Sequence, residues 1–251
     1  MSLSPFSGDI PWVKMISVDY LAVIEQGTRD FAELLERSDQ EALVPSCPGW
    51  TLRNLAEHLG EVHQWAAHAI VAGNLDASPT VAPEGAVCGW YRDSARLLVE
   101  TLRATPVDAP AWHFGAKPQV AGWWRRRQAH EVTIHLHDAQ SAVGKVLAID
   151  AALAADGVAE VRSVFFPRQV RLGRIPALEH AMALVVGETG ERFVFAGDGL
   201  SPDAEVEATV AGPAEALYLL IWGRLSVEDP RLQVSGDGAA ARAVLAAGLV
   251  P

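Results

Sequence analysis

Up to Gly144 the chain reads as four long helical stretches, the first three marked by apolar side chains at steps of three and four. That period gathers them on one face of a helix. Stretches over residues 18–37, 52–71, 89–102 and 120–142 are therefore read as helices. Between the first two, SDQEALVPSCPGW carries prolines and a glycine that stop a helix. Thr51 is a good N-cap for the second helix, and Gly144 suits the C′ position of the fourth. Four such helices predict a bundle.

After Gly144 the pattern changes. A helix is expected over residues 151–164, and FFPRQVRLGRIP reads as a loop. Strand-like runs follow: AMALVVGE, RFVFAG and AEVEATVAG. Glu188, Thr189 and Gly190 make a hairpin-like link between the first two. Gly212–Pro213 opens a helix through Trp222, RLQVSG forms another strand, and a last helix covers residues 239–247. The expected fold class is α+β. A helical bundle occupies residues 1–147 and a small α+β domain occupies 148–251.

Composition narrows the function. Half of the 251 residues are hydrophobic, enough for a substantial core. No apolar run reaches the roughly 18 residues of a membrane helix. The segment MSLSPFSGDIPWVK lacks a basic region followed by an apolar stretch, so it is not read as a secretory signal, and a cytoplasmic protein is expected. A formal net charge of −11 disfavours nucleic-acid partners. The one basic cluster, Arg125, Arg126 and Arg127, lies in a helical pattern and is read as mostly facing water. Cys47 and Cys88 form no CxxC pair and no disulfide framework.

Spacing then singles out a candidate metal site. Leu55, His58, Val62, Trp65 and Ala69 share one helical face, so His58 sits in an apolar stripe. His63 and His68 point away from it and are expected at the surface or rim. On the fourth helix Glu131 and His135 lie one turn apart, on a face shared with Trp124, Gln128, Asp138 and Ala142. A buried carboxylate is costly unless paired or metal-bound. Two histidines and a carboxylate suit Zn²⁺, Fe²⁺ or a similar ion and leave coordination positions open. Asp138 is placed to orient a ligand. His130 and His137 are alternative ligands that lie off this face. An exposed pair or a core hydrogen bond would explain the same spacing without metal.

These residues also carry a resemblance. VPSCPGWTLRNLAEHLGEVHQW and RRRQAHEVTIHLHDAQ resemble the two signatures of the mycothiol-dependent maleylpyruvate isomerase family, within the DinB-like bundle superfamily. GPAEALYLLIWGRL resembles that family's small, sterol-carrier-like C-terminal domain. The resemblance implies a zinc-type triad of His58, Glu131 and His135, mycothiol as thiol cosubstrate, and a catalytic arginine matching Arg224. A helix-terminal arginine favoured by the macrodipole is the plainer account of Arg224. The sequence departs from the family at Leu136–His137, where members often carry Trp preceded by Arg, which bears on the substrate pocket.

The expected activity is addition of a metal-activated thiol to a small electrophile, giving cis–trans isomerisation. The alternatives are mycothiol S-transfer, a non-catalytic binding protein whose metal shell is filled by His130 or His137, and hydrolysis with Asp138 as base. Cys47, before the second helix, is a possible nucleophile but belongs to a turn signature. Cys88 is read as a packing residue. Trp50, Trp123 and Trp124 belong to the core or line a cleft.

Overall fold

The computed structural model describes residues 18–201 and 203–251. The N-terminal segment considered above for a secretory signal lies outside the described residues. Four helices come first: α1 (Tyr20–Arg37), α2 (Leu52–Ala72), α3 (Val87–Ala104) and α4 (Ala121–Ala142). They form the expected bundle, with α1 and α2 each packed on α3 and α4. The bundle helices share one core, formed by Phe31 and Leu35 of α1, Leu52, Leu55 and Leu59 of α2, and Tyr91 of α3.

The local starts and stops are also legible. Thr51 caps α2 in a capping box with Asn54, and Gly73 closes the helix at φ 70°. The loop before it is tied down by backbone bonds between Val44 and Trp50. This holds Ser46 and Cys47 against α4, where both reach Asp138.

Beyond Gly144 lie α5 (Ala151–Glu160), a π-helical turn (Val161–Phe165) and α6 (Phe166–Arg171). The expected loop at FFPRQVRLGRIP is thus corrected: its first half is helical. Pro167 stands in the first turn of α6, where a missing N–H and a fixed φ cost nothing. Then come β1 (Leu178–Val186), β2 (Arg192–Gly197), β3 (Ala208–Gly212), α7 (Ala214–Ile221), β4 (Gln233–Gly236) and α8 (Gly238–Ala246). The sheet order is β2-β1-β3-β4. The β1–β2 and β3–β4 pairs are antiparallel, and β1 and β3 run parallel. The whole is α+β, as the sequence predicts.

One core spans sheet and helices. Leu184, Phe195, Phe166, Leu217 and Tyr218 cluster with Ile134 of α4, so the bundle and the C-terminal half share apolar contacts. Helix α4 is consequently enclosed on several sides: Trp124, Gln128, Ala129, Val132, Ile134 and Asp138 are all buried. Helix α5 packs on α7 through Gly157, where a Cβ would overlap the fully buried Tyr218 ring. Gly→Ala in a helix interior ordinarily stabilises by ~1 kcal/mol. Here Gly157→Ala is expected to destabilise by about 1–3 kcal/mol, the cost of overpacking, measured by urea unfolding. A gain in stability would show that Tyr218 repacks freely.

Candidate metal centre

His58, from α2, and Glu131 and His135, from α4, converge as the helical faces predict. Their nearest ligand atoms all lie within 4.8 Å of one another. Glu131 Oε1 is 3.1 Å from His58 Nε2 and 3.5 Å from His135 Nε2. Tetrahedral sites with bonds of ~2.0–2.1 Å separate neighbouring ligand atoms by roughly 3.3 Å, so these separations fit a cation. The two imidazoles stand edge to face at 5.0 Å, and Trp50 packs on His58 at 5.3 Å.

Asp138 organises the next layer. Its Oδ2 accepts from His135 Nδ1 at 2.9 Å, which pins the Nδ1 proton and leaves Nε2 for a ligand role. The same carboxylate accepts from Ser46 Oγ at 2.5 Å and from Arg224 Nε and Nη2 at 3.0 and 2.8 Å. Burial would raise the Asp138 pKa, but His135 and Arg224 hold it well below the usual range. With its oxygens committed and its basicity depressed, Asp138 makes a poor hydrolytic base.

Arg224 reaches this layer because α7 ends in a Schellman turn. Gly223 takes φ 72°, Gly223 N donates to Leu220 O, and Arg224 N donates to Leu219 O. Trp222 and Arg224 are thereby turned toward the cleft. Arg224 also donates to the Trp222 carbonyl at 2.7 Å, so its helix-terminal role is real but accounts for only one of its bonds.

Glu131 shows what the sequence reading missed. Burial would raise its carboxyl, yet Arg127 and the two imidazoles outweigh that and hold it well below the usual range. Arg127, expected at the surface, is buried. It donates to Glu131 Oε2 at 2.6 Å and to Glu160 of α5, and it lies over the rings of Phe165 and Trp222. Arg126 likewise is mostly enclosed and grips Asp156 of α5. The surface reading fails for both because α5 and α7 cover this side of α4. Burial opposes protonation of His135, but Asp138 and Glu131 raise its pKa to about 9.

His63 is a second correction. It is fully buried, donating from Nδ1 to Gln128 Oε1 at 2.8 Å, and burial pushes its pKa down to about 4. His68, in contrast, bonds Asn74 near the surface. His130 is spent on Asp156 at 2.8 Å, and neither it nor His137 joins the three-ligand cluster. That removes the fourth ligand required for a filled shell.

The triad opens on a cleft of about 570 Å³ between the bundle and the C-terminal half. Trp50 and Trp124 line it, whereas Trp123 stacks on His113 outside it. Cys47 also lines it, 3.6 Å from both Asp138 Oδ2 and Arg224 Nη2. Burial, reinforced by Asp138, pushes the Cys47 thiol up, which suits packing better than attack. Cys47, His135 and Asp138 form a second cluster of donor atoms, but Asp138 there is already saturated. Cys88 is partly buried among apolar neighbours, as expected of a packing residue.

A helical bundle bearing an open His–Glu–His cluster, joined to a small four-stranded domain whose arginine backs that cluster, defines a narrow class. Residues 21–140 match the Mycothiol maleylpyruvate isomerase N-terminal domain, and residues 152–243 match the MDMPI C-terminal domain. The chain belongs to the mycothiol-dependent maleylpyruvate isomerase family. Among solved structures it is similar to the mycothiol-dependent maleylpyruvate isomerase, at 17% identity and TM-score 0.61. A mutant of that enzyme with a histidine replaced by alanine matches at 16% identity and TM-score 0.62. Both alignments cover 87% of this chain and 93% of the other. No curated protein matches the chain. No described helix is long and apolar enough to cross a membrane.

Proposed function

We propose that this protein is a zinc- and mycothiol-dependent enzyme that adds the thiol to a conjugated electrophile, with cis–trans isomerisation of maleylpyruvate as the type reaction. The observation that carries the reading is the cluster of His58, Glu131 and His135 on the wall of an open cleft. A divalent cation held there would lower the pKa of a thiol, ~8.5 when free, and so supply thiolate at neutral pH. Glu131 arrives as a carboxylate because Arg127 compensates its burial. Asp138 fixes the His135 ring. Arg224, on the same wall, has four of its five N–H donors committed, and its remaining Nη1 hydrogen is available to an enolate oxygen of the substrate.

Isomerisation requires the adduct to rotate about its new single bond and expel the thiol again. Zinc-loaded protein, mycothiol and maleylpyruvate should yield the trans isomer with mycothiol regenerated. A stable adduct would move the protein to S-transfer. No consumption of maleylpyruvate or of any other electrophile would reject the reading. Asp138→Asn is expected to weaken zinc binding by about 10–100-fold, measured by chelator competition, because the Nδ1 acceptor becomes weaker and the tautomer is freed. Unchanged affinity would show that Asp138 serves only to anchor Arg224.

A further inference from the structure

A second cleft, of about 840 Å³, adjoins the first, and Phe114 lines both. Its walls come from the π-helical turn, α6, the start of β2 and the turn after β2, and they carry Arg162, Arg168, Arg171 and Arg192. Two of these guanidiniums are held against other residues of the same wall. Arg162 Nη1 donates to the Gly199 carbonyl at 2.7 Å, and Arg168 lies over the Phe114 ring at 4.7 Å. Arg171 and Arg192 are exposed. Pro167, Val170 and Phe193 add an apolar lining to that of Phe114.

These arginines lack the anions that their counterparts have. Among the described residues, none of the four has a carboxylate within 4.0 Å, and neither does Arg174 just beyond α6. Every other arginine of the chain except Arg29 and Arg125 is so paired. Asp198 supplies the carboxylate among the lining residues, and its Oδ1 accepts from Leu200 N at 3.0 Å. Four guanidiniums thus share a cleft with one carboxylate, in a chain whose formal net charge is −11. The crowding registers on Arg168: burial, then Arg174 and Arg171 beside it, press its pKa below the ordinary value. An anion bound among them would relieve that repulsion.

We propose that this cleft binds a small organic dianion with an apolar body. Its oxyanion groups pair with Arg162, Arg168, Arg171 and Arg192, and its hydrocarbon lies on the apolar lining. Carboxylates and phosphates share the required chemistry, because the oxygens of either match the guanidinium fork. The assignment stands apart from the metal reading, since His58, Glu131 and His135 do not line this cleft.

The test is calorimetric binding of phenyl phosphate, phenylsuccinate and neutral benzamide to zinc-free protein. Wild type is compared with Arg162→Gln, Arg168→Gln and Arg192→Gln, and with Arg29→Gln and His58→Ala as controls. At least one dianion is expected to bind at about one per chain, about tenfold or more tighter than benzamide, and more weakly as salt is raised. Arg162→Gln and Arg168→Gln should each weaken it by about tenfold. Arg192→Gln, at an exposed position that the fold does not need, should weaken it as well, while both controls leave it unchanged. A tighter phenyl phosphate would name a phosphate ester as the source, and a tighter phenylsuccinate a dicarboxylate. Binding of neither dianion, equal binding of benzamide, or unaltered affinity in all three cleft variants would overturn the proposal. So would an equal loss in Arg29→Gln, which would assign the attraction to overall charge, or a loss in His58→Ala, which would place the ligand in the metal cleft.

Discussion

His58→Ala is expected to strip the protein of its metal while leaving the fold in place. In the proposed site His58 would supply one of three ligands and gives its surroundings little else: its side chain is about a third exposed, its polar contact is with Glu131, and Trp50 and His135 meet its ring edge to face. Truncation leaves no buried charge unpaired, because Arg127 and His135 still satisfy Glu131. Zinc content should fall from about one per chain to a small fraction of that, since two remaining ligands make a weak site. Thiol-dependent turnover should fall by roughly 10³-fold, the equivalent of the several kcal/mol that a bound cation contributes to charge stabilisation. The unfolding midpoint should move little. Metal analysis, turnover and thermal unfolding on one preparation check all three. Full zinc retention would relocate the cation to the Cys47, His135 and Asp138 cluster, and a collapse of the fold would make His58 a structural residue.

The helices and the triad were legible because one periodicity carried both. His58 interrupts an apolar stripe, and Glu131, His135 and Asp138 fall on one face, so spacing made them candidates and the family resemblance joined His58, Glu131 and His135 as a triad. The same logic failed on the other faces of α4. It assumes that a helix has one buried side, whereas α4 is covered by the bundle on one side and by α5 and α7 on others. Arg126 and Arg127 therefore read as solvated, and His130 as an alternative metal ligand, when all three are enclosed, each paired with Asp156 or Glu160 from a helix about thirty residues later. Those acidic partners occur at ordinary positions in α5, and nothing local marks them as buried. His63 was lost in the same way: its partner Gln128 lies across the bundle, and only the packing of α2 on α4 brings them together. Pro167 misled because a proline reads as a breaker unless the helix start is known.

Arg127 is where the missed residues matter most, and its loss should be the most damaging single change to stability. Its guanidinium is buried between Glu131 and Glu160, with Phe165 and Trp222 against its plane. Arg127→Met keeps the stem's volume but strands Glu160 away from water and leaves Glu131 to the two imidazoles alone. Breaking a buried pair from one side costs about 3–5 kcal/mol, a large part of the stability of an ordinary domain. Chemical unfolding should register that loss. Adding Glu160→Gln should recover part of it, since one stranded charge is removed and nothing else changes. Recovery is the decisive readout: a merely steric role for Arg127 predicts additive losses in the double variant. Zinc should respond in the opposite sense to stability. Without Arg127 the only compensation left for Glu131 is the two imidazoles and the cation itself, so bound zinc should stabilise Arg127→Met by more than it stabilises wild type. Equal zinc-dependent shifts in the two proteins would mean that Arg127 and the cation do not share the charge of Glu131.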